Sequence, residues 1–134
     1  MGHGQLEAVR ILTNSQMDSA SPLACLLIGQ PTLRRMLRLG VLAALDQRIA
    51  LRYAMPAMTP EQTAAYITHH LKLAGRSDPL ISDDAAALIH DAARGLPRAV
   101  NNLATQALVA AMAGRKSIVD EQSARAAVTE ITTD

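Results

Sequence analysis

The chain has 134 residues, enough for one domain with a core or for a small domain plus part of a second. Its 13 Lys and Arg against 12 Asp and Glu leave a formal net charge of +1, so no global field recruits nucleic acid or membrane and any such binding must be local. Aromatic content of 1%, with Tyr53 and Tyr66 but no Phe or Trp, excludes a stacking platform for single-stranded bases. Cys25 is the lone cysteine, which rules out an intrachain disulfide and a cysteine-rich zinc site and fits a reducing cytoplasm. No apolar run approaches the roughly 18 residues a membrane span needs, so a soluble protein is expected.

Met1 to Gly4 precede the first periodic segment and are left out of the fold expectation. Leu6, Val9, Ile11 and Leu12 then predict a short helix that Asn14 ends, followed by a polar turn through Ser15, Asp18, Ser19, Ser21 and Pro22. Leu23 to Gly29 is apolar without alternation, which predicts a strand covered on both faces in a parallel sheet, with Cys25 as inert packing. Beyond Gln30 and Pro31, Thr32 is placed to cap a helix carrying Leu33, Met36, Leu37, Val41, Leu42 and Leu45, with Gly40 as a weak point inside it. Arg34, Arg35 and Arg38 fall on its other face, where solvent suffices to explain them. Ile49 to Tyr53 alternates with period two and predicts a half-buried or edge strand.

Composition changes at Met55 to Met58, read as a linker. Thr59, Pro60 and Gln62 make a capping-box start for a helix ending at Gly75, with Tyr66, Ile67, Leu71 and Ala74 inward. Ser82 or Asp83 opens the next helix, with Leu88, Ile89 and Ala92 inward and Gly95 as its stop. A third helix runs from Pro97 to about Ala113, buries Val100, Leu103, Ala104, Ala107, Leu108 and Ala111, and ends at Gly114. Asp120 caps a fourth carrying Ala124, Ala127, Val128 and Ile131. Four alanine-rich helices with short connections predict a compact bundle.

Gly95-Leu96-Pro97-Arg98 is the local feature that most invites a functional reading. Arg98 sits where the helix dipole is already positive, so a bound anion explains it as well as a surface carboxylate does. His69 and His70 are adjacent and point about 100° apart on a helix, and neither His90 nor any carboxylate stands at ligand spacing, so no metal site is expected. The helices on either side of Gly95 have helix-turn-helix order, with Asn101, Asn102 and Gln106 as polar groups near the second start. Along that second helix Arg98 is the only cation before Arg115, too few for duplex reading to lead.

The order of Gly29-Gln30-Pro31, Leu45-Asp46-Gln47-Arg48-Ile49, Arg52-Tyr53, Thr59-Pro60-Glu61 and Gly95-Leu96-Pro97-Arg98 resembles the C-terminal part of an AAA+ ATPase. It is most similar to the bacterial group that contains the type II secretion ATPase ExeA and transposon-encoded ATP-binding helper proteins. The resemblance covers nearly the whole chain from Leu6 and implies a mainly α fold: an incomplete α/β core segment of P-loop AAA+ type over residues 5–57, then a four-helix lid over 58–134. It implies catalytic roles for Gln30 as the sensor-1 residue that orients attacking water, and for Arg48 or Arg52 as an arginine finger toward a neighbouring subunit's nucleotide. Arg98 matches the sensor-2 arginine that touches the γ-phosphate, with Gly95 and Pro97 shaping its cofactor-binding turn. Guanidinium groups suit the equatorial oxygens of a transferring phosphoryl group.

The departures weigh as much. No Gly-x-x-x-x-Gly-Lys-Ser/Thr loop and no apolar strand ending in Asp-Glu occurs, so the chain alone is expected to be inactive, with ATP and Mg²⁺ required only by the intact parent. The implied parent is a cytoplasmic homo-oligomer without a membrane span that couples ATP hydrolysis to oligomer rearrangement, with DNA or a transposase as partner. A DNA-transposition role is preferred over a secretion role. The competing expectation is a non-enzymatic helical interaction or DNA-binding module in which Arg98 is structural.

Overall fold

The computed structural model describes residues 2–14 and 23–133, with side chains through 131; the polar turn expected from Ser15 to Pro22 lies outside the described residues. The described part is helical and divides into two units, Met1–Ala54 and Met55–Asp134.

In the first unit, α1 (His3–Thr13) starts earlier than the apolar periodicity shows. Gln5 is the reason: its side chain accepts from the Gly2 N–H at 2.8 Å, so the segment left out of the expectation supplies the helix start. Asn14 ends α1 as expected. The helix predicted from Thr32 is two. In α2 (Pro31–Leu37) the N-cap is Gln30, not Thr32, because Pro31 already occupies the first helical position. A 3₁₀ turn over Gly40–Leu42 separates it from α3 (Ala43–Gln47), so Gly40 does break the pattern. Leu6, Leu37, Leu42 and Leu45 form a small buried core, with Leu27, Leu33, Met36 and Ile49 packed on its margin.

Neither expected strand forms among the described residues. Leu23 to Gly29 has no ladder partner, and a run that is apolar on both faces then has nothing to bury most of it. Leu27 turns inward, whereas Leu26 and Ile28 are 82% and 84% exposed. Cys25, read as buried packing, is also exposed. From Ile49 to Tyr53 only Ile49 reaches the core, leaving Leu51 and Tyr53 in solvent.

The second unit contains α4 (Pro60–Leu73), α5 (Asp83–Ala93), α6 (Pro97–Ala113) and α7 (Glu121–Thr133). The Thr59 hydroxyl accepts from the Gln62 N–H at 3.2 Å while the Thr59 N–H donates to Gln62 Oε1 at 2.9 Å, the reciprocal box its spacing predicts. Ser82 caps α5 by accepting from the Ala85 N–H. Helix α7 packs on α6 and α5, and α4 packs on α5 and α6. Ile67, Ala85, Ala86, Ile89, Ala93, Val100, Leu103, Ala107, Ala111, Val119, Ala124 and Ala127 form the core, in which alanines let the axes approach closely. Ala74, Ala92 and Ile131, expected inward, are exposed: Ala74 is the C-cap of α4 and Ile131 lies in the last turn of α7, where the packing ends, while Ala92 lies at the edge of the α5 stripe.

Two connections rest on contacts that local patterns do not show. The Val119 N–H donates to the Leu80 carbonyl at 2.8 Å, the Ser82 N–H donates to the Val119 carbonyl at 3.0 Å, and Ile81 and Val119 form an isolated parallel bridge. This joins the loop before α5 to the loop before α7. Helix α6 ends at Gly114 as expected, but the left-handed residue there is Arg115, at φ 52°, while Gly114 keeps a φ of −76°.

Asp120 closes the entrance to α7. The Lys116 ammonium donates to its carboxylate at 2.7 Å, and the Ser123 hydroxyl and N–H donate to its other oxygen at 2.7 and 2.9 Å. These contacts, the lysine first, hold the carboxyl well below the usual carboxylate range. The Arg76 guanidinium, bidentate on Asp78, lowers that carboxyl to about 2. A depressed native pKa stabilises the fold above the unfolded value of about 3.9 and loses that contribution as pH falls. The thermal midpoint is therefore expected to be insensitive to these groups at pH 5–8 and to fall below about pH 4, less steeply in Asp120→Asn. A variant that keeps the wild-type acid slope would show that Asp120 does not carry this dependence.

Candidate functional site

The turn between α5 and α6 is built from two consecutive left-handed residues, Arg94 at φ 52° and Gly95 at φ 66°. The Gly95 N–H donates to the His90 carbonyl at 3.3 Å, closing the end of α5, and the Leu96 N–H donates to the Ala93 carbonyl at 3.1 Å. Gly95 is buried, and its carbonyl accepts from the Met58 N–H at 2.9 Å. A Cβ on Gly95 would lie 2.2 Å from the Met58 carbonyl oxygen, so glycine is demanded twice: by its φ and by the main chain of Met58 against it. The turn and the segment entering α4 are thereby held as one piece.

Pro97 is the first residue of α6 and Arg98 the second. No side chain caps this helix start and its first turn contains no acidic residue. The Val100 N–H to the Leu96 carbonyl, at 2.9 Å, is the first bond of the ladder. Arg98 is exposed and makes no ion pair or side-chain hydrogen bond among the described residues. A guanidinium therefore projects beside uncapped N–H groups, an arrangement that favours an anion through both charge and donor geometry.

Beside this helix start lies an open, mainly apolar groove of about 710 Å³, lined by Met55 to Met58, Gln62, Ala65, Tyr66, His69, Leu96 and Pro97. Sequence reasoning missed Met58, Tyr66 and His69 as neighbours of the turn. The available signal was the spacing of Gln62, Tyr66 and His69 on one face of α4. Tyr66 packs its ring against His70 with centroids 4.4 Å apart, and the His69 and His70 rings meet edge-on at 5.6 Å. Among the described residues no three His, Cys, Asp or Glu converge as a metal-binding group.

Behind the turn, His90 Nδ1 is 2.8 Å from the hydroxyl of Thr63, which is fully buried. This bond ties α4 to α5 one turn before Gly95. Glu61, on the outside of α4, has its carboxyl lowered, chiefly by the Thr59 hydroxyl that donates to it at 2.7 Å.

The other expected site residues lie in the first unit. Gln30 is exposed; its carbonyl accepts from the Leu33 N–H, and its side chain caps nothing. Arg48 is half-buried at the C-terminal cap of α3. Arg52 folds back onto the same helix, with Nη2 2.6 Å from the Asp46 carbonyl and 2.9 Å from its carboxylate. The structure thus groups Gly95, Pro97 and Arg98 in the second unit and Gln30, Arg48 and Arg52 in the first.

The chain is similar to General secretion pathway protein A of Aeromonas hydrophila, with 38% identity over 110 residues, which is 82% of this chain and 20% of that protein. It thus spans about a fifth of the length of this relative. No family model matches, and no solved structure matches. Among the described residues no helix is long and apolar enough to cross a membrane.

Proposed function

We propose that the chain supplies the closing elements of a secretion-type AAA+ ATPase, with residues 5–57 completing a nucleotide-binding core and residues 58–134 forming its lid. Similarity to a general secretion pathway protein favours secretion over transposition. The exposed Leu26, Ile28, Leu51 and Tyr53 support the incomplete core, since strands parted from their sheet leave such side chains in water.

The observation that carries this reading is the backbone bond from Met58 to Gly95. It fixes the Arg98 helix start to the segment by which the chain enters the lid, so an anion held by Arg98 pulls on both together. In this reading Arg98 reports the γ-phosphate to the lid, Gln30 orients a water, and Arg48 or Arg52 meets the nucleotide of a neighbouring copy. The described residues fit the group in part: Arg98 and the uncapped N–H groups suit phosphate oxygens, but the sequence has neither a phosphate-cradling loop nor an Asp-Glu pair for Mg²⁺. When bound, ATP with Mg²⁺ supplies the transferable phosphoryl group, and the missing cradle must come from another segment or chain.

Arg98→Ala, in a polypeptide joining this chain to a phosphate-binding loop, is expected to lower ATP turnover about a hundredfold. Because Arg98 is exposed, its thermal midpoint should hardly move. Normal turnover together with a large loss of stability would make Arg98 a structural residue and end this reading.

A further inference from the structure

We infer that the arginine face of α2 is a docking surface for the acidic face of α5 on a second copy of this chain. The inference rests on the charge distribution and does not depend on the ATPase reading.

From Ser19 to Leu45 the sequence contains no Asp or Glu, yet it carries Arg34, Arg35 and Arg38. All three are exposed, while Leu33, Met36 and Leu37 on the other side of α2 face the small core. The two described carboxylates of this unit are already engaged, Glu7 by Arg10 and Asp46 by Arg52. Arg34, Arg35 and Arg38 make no ion pair or side-chain hydrogen bond among the described residues. Arg34 and Arg38 stand one helical turn apart, a like-charge spacing that weakens an isolated helix unless an anion lies across it.

The second unit has the opposite imbalance. Asp83, Asp84 and Asp91 are exposed on α5, and none of them is paired among the described residues. Asp84 and Asp91 lie two turns apart on one face, so the acidic stripe extends along the helix. Each chain therefore presents one cationic and one anionic helix face, and matching them between copies joins different surfaces. Such a heterologous contact propagates from copy to copy. Arginine suits the cationic side because its planar fork takes a carboxylate bidentately.

Exposed ion pairs are individually weak and screened by salt, so the association is expected to be weak, concentration-dependent and strongest at low ionic strength. Sedimentation velocity of the full chain over a concentration series, at about 20 mM and about 300 mM salt, tests it across a large change in screening. The expected result is a rise in mass with concentration at low salt that vanishes at high salt. The triple reversal R34E/R35E/R38E should weaken association about tenfold or more. Asp91→Lys, in the last turn of α5 and away from its N-terminal cap, should weaken it as well, and mixing the two variants should restore it. Association that is insensitive to salt or to the arginine reversal would overturn the inference, as would failure of the mixture to recover. A protein that stays monomeric at low salt, including one whose sedimentation coefficient shifts with salt at constant mass, would also overturn it, the latter by placing the pairing within one chain.

Discussion

Gly95→Ala is expected to lower the stability of the helical bundle by about 3 kcal/mol, seen as a fall of roughly 10–20 °C in the thermal midpoint followed by circular dichroism. Two costs add. A Cβ residue at φ 66° carries left-handed strain of about 1 kcal/mol, and the new methyl group would meet the Met58 carbonyl oxygen at 2.2 Å. Main chain cannot step aside as the end of a side chain can, so the bond between Met58 and Gly95 would have to open. Gly75 provides the control. Its φ is 85° but nothing lies within 4 Å of its would-be Cβ, so Gly75→Ala should cost only the strain, about 1 kcal/mol. Equal losses at the two glycines would show that the Met58 contact contributes nothing.

Ile89→Ala should cost a further class of energy, about 3 kcal/mol, through the cavity it leaves. Ile89 is fully buried on α5 within the core shared by α4, α6 and α7. It also lies next to His90, whose imidazole bonds Thr63 and whose carbonyl anchors Gly95, so repacking there would disturb the Arg98 turn. Val109→Ala removes an aliphatic side chain from the same bundle, but Val109 is 49% exposed and the loss should stay within about 0.5 kcal/mol. Denaturant titration of the two variants separates the cases. A small loss at Ile89 would mean that the alanine-rich core collapses around the gap.

Much of the second unit was legible because its signals are local. Thr59 with Gln62, Ser82 and Asp120 act on N–H groups within one helical turn, and Pro97 presets φ at the first helical position, so their spacing in the chain is their spacing in space. Periodicity located Ile67, Ile89, Val100 and Leu103 in the core for the same reason. It could not rank the alanines: Ala85, Ala86 and Ala93 are buried while Ala92 is exposed, and alanine's small apolar area gives the pattern little contrast. In the first unit the apolar run from Leu23 to Gly29 forms no strand among the described residues, because a strand covered on both faces needs neighbours which those residues do not supply.

The candidate site divides along the same line. Gly95, Pro97 and Arg98 could be singled out from their order alone, since a helix stop, a helix start and a cation are local statements. That Gly95 is clamped by Met58, that Thr63 holds His90, and that Tyr66 and His69 line the groove beside Pro97 depends on residues 27 or more apart in the chain, or on which face of α4 meets the turn. The sequence by itself determined where the helices of the bundle begin and which stripe each buries, because caps and periodicity act over a few residues. Only the tertiary structure decided that Val119 zips the two loops together, that Arg115 rather than Gly114 takes the left-handed turn, and that the Arg98 turn is bonded to the segment entering α4. Those outcomes follow from close backbone approaches between distant segments, for which composition and spacing carry no signal.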